Sequence, residues 1–397
     1  MTSKKILLIV GYFDWFSGYQ ETGLATWLSR YASVEVLTGD RVSTMFSDGH
    51  LDSLGLPRRY PTGTTEEHGV RVTRVPTTEI RSMVWSWAAV RHIRSGNYDL
   101  IIQVMPGQLL PLAATLAGNR TRRVALYGDN SAMWSHLPRW KRLIKGLLFA
   151  MTKGILYTVV NSRANEVRGY TPNTVARLRA FSAGRAIEVL PLAFDPGIFK
   201  FDPQVRLSKR EELGYSPADI VVIAAGKTQR KKRLDLLIAA TAALAPQFPS
   251  LKLLLTGIDD SEYSRDLVET VKATPGLAGR TQFTGFVDAS ELNRLFNASD
   301  IGVWPRMPAI TIQQAMGTGL AVAVPSNDWV SHLLRPGTGV YFSAADEHPV
   351  EEIASAIRTL VCKGQSDDDR GWRATTNRWL GADRVVQSLL TPLGGAS

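Results

Sequence analysis

Residues 220–235 read IVVIAAGKTQRKKRLD, and the fold prediction starts from this stretch. A run of β-branched and small apolar residues ends at Gly226, and an amphipathic pattern begins at Arg233. A continuous apolar run is typical of a strand that is buried on both faces. A glycine directly after such a strand lets a ligand approach the backbone closely. The stretch therefore predicts a strand, a loop and a helix in succession.

The same alternation of apolar runs and helical patterns extends through both halves of the chain. The predicted strands are residues 5–10, 34–38, 70–75, 100–104, 124–126, 157–160, 220–225, 251–256, 281–283, 301–304 and 320–324. The predicted helices are residues 23–31, 84–95, 138–153, 233–244, 261–273, 290–297, 312–317 and 351–360, and residues 41–67 are expected to form a long loop. Alternating strands and helices predict an α/β fold with two doubly wound parallel sheets.

The predicted domain organisation is two Rossmann-like domains followed by a terminal helix. The boundaries fall at 1–193, 194–372 and 373–397, and the last segment is expected to pack back on the first domain. The first boundary follows a Pro- and Gly-rich stretch, residues 189–199. Since ligands of doubly wound sheets bind at the carboxyl ends of the strands, the cleft between the domains is the expected site.

The composition of the 397 residues excludes several classes of protein. Cys362 is the single cysteine, so an intramolecular disulfide and a cysteine-built zinc site are excluded, and a reducing, cytoplasmic location is favoured. The six histidines lack the spacing of metal ligands. Residues 6–10 are too short for the core of a signal peptide. We expect the longer apolar stretches to be interrupted by charge before they reach the roughly 20 residues of a bilayer span. We therefore expect a soluble or peripheral protein.

The formal net charge of +10, from 46 Lys and Arg against 36 Asp and Glu, predicts attraction to an anionic partner. Nucleotide phosphates, acidic lipid headgroups and nucleic acid all satisfy this condition. The basic residues are spread along the chain without a nucleic-acid-binding signature, so a nucleic acid partner is not predicted.

The loop after residues 220–225 concentrates positive charge. Lys227 and residues 230–232 supply four cations immediately before a predicted helix. Such a cluster can neutralise a diphosphate, with help from the helix N-terminus. It can equally be a solvated basic loop. The spacing of a Walker A loop is absent.

Residues 226–235 resemble the GRLxxxKGxD element of GT-B retaining glycosyltransferases of family 4, the glycosyl transferases of group 1. Lys227 takes the place of the arginine of that element, Lys232 that of its lysine, and Arg233 that of its second glycine. The resemblance continues in order through residues 251–257, 282–301 and 304–319. The resemblance is weaker in the first half of the chain. There, residues 17–21 are similar to the GGxE loop of the family, and residues 189–199 are similar to its interdomain element. The resemblance ends near Trp379. The resemblance implies a GT-B fold, in which two Rossmann-like domains face a cleft.

The resemblance further implies a glycosyltransferase that moves a sugar from a UDP- or GDP-sugar to a hydroxyl of a glycan or lipid-linked acceptor. It implies retention of configuration and no cofactor or metal. Gly226, Lys227 and Lys232 would hold the donor diphosphate, and the two lysines would stabilise the charge that grows as the sugar departs.

Two positions depart from the family pattern of paired glutamates. Arg306 stands where the first glutamate is expected and Gln314 where the second is. The amide oxygen of Gln314 can still accept a hydrogen bond from ribose. Arg306 cannot accept one, so it either turns away or meets an acidic sugar. Residues Ala309, Ile310 and Thr311 would offer backbone N–H groups to the donor.

The missing glutamates leave a second function open, that of a non-catalytic nucleotide-sugar-binding homologue acting as a partner subunit. The opposite wall of the site is expected from the first domain. Gly18 and Tyr19 replace the paired glycines of the family, and Tyr19 would stack on a sugar or obstruct it. Asp129 would contact the transferred sugar, or it caps a turn.

Residues 138–153 form a basic segment that also carries aromatic and aliphatic side chains, independently of the family resemblance. Such a helix can lie on an anionic membrane surface, which would place the protein at the inner face of the cell membrane. The alternative is an ordinary domain helix with one buried face and one solvated basic face.

Overall fold

The computed structural model describes residues 4–392 except 19, 45, 47, 81, 119, 129–137, 346 and 365. The chain divides into two compact units. Unit 1 comprises Met1–Pro191 and Val385–Ser397, and unit 2 comprises Leu192–Arg384.

Unit 1 contains an eight-stranded sheet in the order β10-β9-β8-β7-β1-β2-β4-β3 and a small antiparallel pair, β5-β6. All neighbours in the large sheet are parallel except β3 and β4. The strands are β1 (Lys5–Ile9), β2 (Ser33–Gly39), β3 (Gly63–Glu67), β4 (Val70–Val75), β5 (Thr78–Ile80), β6 (Met83–Trp85), β7 (Leu100–Val104), β8 (Arg122–Tyr127), β9 (Glu166–Gly169) and β10 (Ile187–Val189). The helices are α1 (Gln20–Ser29), α2 (Asp48–Ser53), α3 (Trp87–Ser95), α4 (Leu112–Ala117), α5 (Arg139–Phe149), α6 (Ile155–Arg163) and α7 (Pro172–Leu178).

Unit 2 contains a six-stranded parallel sheet in the order β13-β12-β11-β14-β15-β16. Its strands are β11 (Ile220–Ala225), β12 (Leu251–Thr256), β13 (Thr281–Thr284), β14 (Ile301–Val303), β15 (Ala321–Pro325) and β16 (Gly339–Phe342). Its helices are α8 (Pro203–Glu212), α9 (Leu234–Leu244), α10 (Glu262–Ala273), α11 (Ala289–Ala298), α12 (Ile310–Gly317), α13 (Pro349–Cys362) and α14 (Asp367–Thr376), and α15 (Ala382–Leu390) leads into unit 1. The strand order reverses between β11 and β14, as in a Rossmann sheet. The predicted fold class, an α/β chain with two Rossmann-like domains, is confirmed.

The sequence of strand β11 is apolar throughout because both of its faces are covered. Val222 and Ala224 belong to the hydrophobic cluster on one face of the sheet, whereas Val221, Ile223 and Ala225 belong to the cluster on the other face. Because side chains alternate between the faces of a strand, a strand covered on both sides needs apolar residues at every position.

The strand predicted at residues 157–160 is wrong, because these residues lie in α6. Helix α5, a π-helical turn (Ala150–Gly154) and α6 follow one another directly, so residues 139–163 form one helical segment. The strand of this region is β9, which carries Glu166 and Arg168. The two side chains are buried and form an ion pair at 3.0 Å. Because these charged residues interrupt the strand, its sequence lacks the apolar run from which strands were predicted.

The helical segment 139–163 also corrects the expectation that charge interrupts every apolar stretch of bilayer length. It is long and apolar enough to cross a membrane by length and composition, and only 11% of its apolar window is buried. The sequence interpretation had divided this segment between a helix and a strand, which hid its length.

Residues 41–67 are not a continuous loop, since they contain α2 and β3. Residues 373–384 lie with unit 2 rather than with the terminal segment. In α14 the buried guanidinium group of Arg370 donates to the carbonyl oxygens of Phe296 (2.6 Å) and Ser299 (2.5 Å). The end of α15 lies with unit 1, where Arg122 donates to Leu389 O at 2.9 Å.

Candidate functional site

A small cavity in unit 2 lies where the strand order reverses. It is formed at the carboxyl ends of β11 and β14, the place at which ligands of Rossmann sheets bind. Its lining residues are Ala224, Ala225, Gly226, Lys232, Leu234, Trp304, Pro305 and Met307. Two of the residues predicted to hold a diphosphate, Gly226 and Lys232, therefore meet in one cavity.

The ammonium group of Lys232 lies over the backbone of Gly226. A Cβ placed on Gly226 would be 2.9 Å from Lys232 Nζ, and the φ of Gly226 is +118°, so only a glycine accommodates both this conformation and the ammonium group. Burial, and to a lesser extent the positive charges of Lys231 and Lys227, lower the pKa of Lys232 to about 8. The side chain is still mostly protonated at neutral pH, and an anion beside it would restore its usual pKa.

The other basic residues of the loop are arranged differently. Lys227 is exposed, and Arg230 pairs with Asp266 on α10 at 2.9 Å. Arg233 adopts the left-handed conformation, with φ +53°, and pairs with Asp235 at 2.9 Å. Of the cations at 227 and 230–233, Lys232 is the one that lines the cavity.

The N-terminus of α12 is held against the end of β11. Thr311 Oγ1 donates to Ala225 O at 2.8 Å, and Trp304 Nε1 donates to the same oxygen at 3.1 Å. Because α12 begins at Ile310, the amides of its first turn lack intrahelical acceptors and stand next to the cavity wall. Ala309, Ile310 and Thr311 thus lie at a helix N-terminus, as predicted, while the Thr311 hydroxyl group has a structural role.

Gln314 lies on α12, and its Oε1 is buried with no hydrogen-bond partner among the described residues. A buried acceptor without a donor is costly, so a ligand hydroxyl group would satisfy it. Arg306 is half-buried in the loop between β14 and α12, it interacts with other residues of the protein, and it is not part of the cavity lining.

Sequence analysis missed Thr228 and Gly257, which fix the loop after β11. Thr228 is buried and its hydroxyl group donates to Gly257 O at 2.6 Å. A Cβ on Gly257 would lie 2.7 Å from Gly226 O, and Gly257 has a φ of +93°. The signal available in the sequence was Gly257 itself, because a glycine at the end of a strand often marks the close approach of another backbone segment.

In unit 1, Gly18 has the left-handed conformation, with φ +59°, and follows the 3-10 turn Trp15–Ser17. Tyr19 and Asp129 lie outside the described residues. Glu21, in the first turn of α1, was not assigned a role from the sequence. Burial and the charge of Asp14 raise the pKa of Glu21 to about 7. Within the described part of the chain, no group of three or more His, Cys, Asp or Glu residues could hold a metal ion.

Comparison with known proteins identifies a matching family model and several related sequences. Residues 219–363 match the sequence model of a family described as "Glycosyl transferases group 1". A D-inositol 3-phosphate glycosyltransferase of Segniliparus rotundus is 29% identical over 141 residues, which cover 36% of this chain and 27% of that protein. The corresponding enzyme of Nocardioides sp. is 23% identical over 339 residues, covering 73% of this chain and 72% of the relative. The first three relatives are matched over less than half of their length, between 27% and 47%.

Solved structures show the same fold over the whole chain. The structure of Anabaena Alr3699/HepE in complex with UDP matches with a TM-score of 0.70 and 19% identity, covering 98% of both chains. Sucrose-phosphate synthase from Thermosynechococcus elongatus matches with a TM-score of 0.62 and 18% identity, covering 97% of this chain and 94% of the other. The resemblance to glycosyl transferases of group 1 is therefore confirmed for residues 219–363, and the chain has the GT-B fold.

Proposed function

We propose that this protein is a glycosyltransferase that moves a sugar from a nucleoside diphosphate sugar, of the UDP or GDP type, to a hydroxyl acceptor. The observation that carries the proposal is the position of Lys232. Its ammonium group lies over Gly226 at the carboxyl end of β11, beside the N-terminus of α12. A cation, an open backbone and a helix N-terminus at one point form a site for a diphosphate.

The chemistry follows from where negative charge grows. As the bond between the anomeric carbon and the diphosphate breaks, the bonding electrons leave with the diphosphate, and the acceptor oxygen bonds to the same carbon. The acceptor proton passes to the departing diphosphate. Lys232 and the first-turn amides of α12 stabilise this charge more in the transition state than in the bound donor. Retention of configuration and the absence of a metal are parts of the proposal that come from the family resemblance.

The donor base is proposed to be uracil rather than guanine. The Anabaena protein of the same fold has been crystallised with UDP and with UDP-glucose. The unpartnered Oε1 of Gln314 would accept a hydrogen bond from the ribose of such a nucleotide. Arg306 is not among the residues that line the cavity, so the proposed donor carries a neutral sugar.

Peripheral contact with an anionic membrane at the inner face of the cell membrane is also proposed, through the helical segment 139–163. The segment contains six basic residues and no acidic one. Its exposed apolar side chains are Trp140, Leu143, Ile144, Leu147, Leu148, Met151, Ile155 and Val159. A lipid-linked or glycan acceptor would be reached from this surface.

The packing of α6 favours a helix that lies on a bilayer over one that spans it. Val160 and Asn161 are fully buried, and Tyr127 on β8 donates to Asn161 Oδ1 at 2.7 Å. A spanning helix would have to give up these contacts with the sheet. The basic residues near the start of the segment would face lipid headgroups.

The test of the donor site is calorimetric titration of UDP and GDP into Lys232→Ala, with Lys231→Ala as the matched control. Lys231 belongs to the same turn, is itself exposed and does not line the cavity. We expect Lys232→Ala to weaken UDP binding at least tenfold, as for the loss of a hydrogen bond to a charged group, and Lys231→Ala to leave it within about twofold. Equal UDP affinity in both variants would remove the proposed site. Turnover of a UDP-sugar by the wild type separates the enzyme from a subunit that only binds.

A further inference from the structure

The loop after β7, residues 105–109, lies where the strand order of the large sheet of unit 1 reverses. Strand β1 pairs with β2 on one side and with β7 on the other, so the reversal falls between β1 and β7. Ligands of doubly wound sheets bind at the carboxyl ends of the strands next to such a point. Met105, Gly107 and Gln108 of the loop line a cavity of about 400 Å³ at this edge of the sheet. The loop is therefore placed to contact a substrate.

The backbone of this loop is strained on both sides of Gln108. Met105 has a φ of +50° and a ψ of +61°, a left-handed conformation that is costly for a residue with a Cβ. Leu109 has a φ of +64° and a ψ of −47°, and the N–H of Leu110 donates to Gln108 O at 2.9 Å. These values describe a γ-turn of the rare, strained kind. Strain of this sort persists where the surrounding structure enforces it, and it is concentrated at functional sites.

Gln108 is also held by its neighbours. Its N–H donates to Met105 O at 2.9 Å, which closes the turn that precedes Leu109. A Cβ on Gly11, two residues after β1, would lie only 2.9 Å from Gln108 Cβ, so the loop after β1 packs directly against Gln108. The backbone and the Cβ of Gln108 are therefore fixed in the absence of a ligand, which lowers the entropy cost of binding one.

The side-chain amide of Gln108 contains an unsatisfied acceptor. Its Oε1 is buried without a hydrogen-bond partner among the residues that the structure describes. Leaving a buried acceptor without a donor costs free energy, and each such atom calls for an explanation. An amide oxygen accepts hydrogen bonds and cannot donate them, so the oxygens of an ionised phosphate or carboxylate group cannot satisfy it. A hydroxyl group can, which points to an uncharged, hydroxyl-bearing part of a ligand.

We propose that Gln108 is a specificity-determining residue of the acceptor site, where its amide oxygen accepts a hydrogen bond from a hydroxyl group on a sugar ring of the acceptor. The assignment rests on the proposed glycosyltransferase function. Phe149 and Tyr157 line the same cavity, with ring centres 5.5 Å apart, and offer apolar surface to such a ring. A site built to bind a hydroxyl group rejects an analogue that lacks it, because the amide oxygen is then left buried and unpaired.

The first experiment tests whether the amide of Gln108 is unsatisfied in the free protein. Gln108→Met keeps an unbranched side chain of similar length and removes the amide. We expect its thermal unfolding midpoint, without ligand, to equal that of the wild type or to exceed it by up to about 4 °C. Gln387→Met, at an exposed position of α15 in unit 1, is the matched control and should leave the midpoint unchanged. A midpoint of Gln108→Met that falls by more than about 2 °C would show that the fold itself uses the amide, and it would overturn the assignment.

The second experiment measures ligand binding to the full chain by NMR saturation transfer. The probes are D-glucose, D-galactose and D-mannose, titrated with and without UDP. We expect saturable binding of at least one sugar, weakened about tenfold or more in Gln108→Met and less than about twofold in Gln387→Met. A monodeoxy derivative of that sugar that lacks the bound hydroxyl group should bind the wild type and Gln108→Met equally.

Equal sugar affinity in Gln108→Met and Gln387→Met, or no saturable binding of any of the three sugars, overturns the assignment. The same follows if every monodeoxy derivative still binds the wild type more tightly than Gln108→Met by the factor found for the parent sugar. The affinity for UDP separates this assignment from the proposed function, since Gln108→Met should bind UDP as the wild type does. Failure of the wild type to bind UDP would refute the donor site, whereas failure of the sugars to bind, with UDP binding intact, would refute only the role of Gln108.

Discussion

At the scale of single residues, Lys232 lies in the proposed donor site and has a lowered pKa. Its ammonium group lies against Gly226, and burial and the neighbouring lysines lower its pKa to about 8. In the proposed donor complex a bound diphosphate would favour the protonated form, so we expect the nucleotide to bind tightly only while Lys232 carries its proton. Lys227 is exposed.

The affinity for UDP should therefore fall as the pH rises above 8. Deprotonation of Lys232 in the free protein weakens binding by up to about tenfold per pH unit, because one proton is taken up with the nucleotide. Titrations of UDP between pH 7 and 10 measure this slope. Lys231→Ala should retain it and Lys232→Ala should lose it. A slope that persists in Lys232→Ala would assign the proton to another group.

At the scale of elements, the turn before α9 shows how the chain departs from its relatives. The second glycine of the family element corresponds to Arg233, which adopts a left-handed conformation with φ +53°. That conformation costs a residue with a Cβ about 1 kcal/mol, and a glycine avoids the cost. The ion pair with Asp235 offsets part of this cost, and its contribution to stability is small because both side chains are more than one-third exposed.

Arg233→Gly should consequently be more stable than Arg233→Ala by about 1 kcal/mol, since both variants lose the ion pair and only glycine relieves the left-handed backbone. Chemical denaturation of the two variants measures the difference in the free energy of unfolding. An alanine variant as stable as the glycine variant would show that the left-handed conformation is not retained. This expected order of stability is the opposite of the usual one, in which alanine stabilises a helical position more than glycine does.

The elements that could be predicted from the sequence are those whose residues follow one physical rule. Strands β11 to β15 of unit 2 were predicted, and β11 shows the reason, since both of its faces are covered. Strand β16 was not predicted, and most of its residues are only partly buried or exposed. Strand β9 was missed because Glu166 and Arg168 are buried as a pair, and pairing depends on contacts that a local pattern does not contain. Helix α6 was mistaken for a strand because a short apolar run has no periodicity of its own.

At the scale of the whole molecule, the donor-site prediction depended on residues that lie close together in the sequence. Gly226 and Lys232 line one cavity because they flank one turn after one strand, while their role in holding a diphosphate stays a prediction. The cavity in unit 1, at the carboxyl ends of β7 and β8, could not be found in this way. Among its lining residues are Lys145, Lys153 and Arg177, which come from α5, from the π-helical turn and from α7. Nor could the Oε1 of Gln108 or Gln314 be known to lack a partner before the packing around it was seen.

The membrane contact that we propose for the whole molecule is made by the helical segment 139–163. Leu143 and Leu147 are 74% and 64% exposed and lie outside the cavity lining, so their side chains are available to lipid. We expect the wild type to sediment with vesicles that contain phosphatidylglycerol and to bind them less at high salt, because the basic residues contribute electrostatically.

Leu143→Glu/Leu147→Glu should reduce vesicle binding by tenfold or more, since each leucine contributes roughly 1.5–3 kcal/mol when buried and each glutamate is repelled by the anionic surface. Leu54→Glu, at an exposed leucine in another part of unit 1, is the control and should bind as the wild type does. Because all three leucines are exposed, the variants should unfold at the wild-type temperature. Equal sedimentation of the double variant, or sedimentation that ignores both salt and phosphatidylglycerol, would mean that this surface does not meet a bilayer.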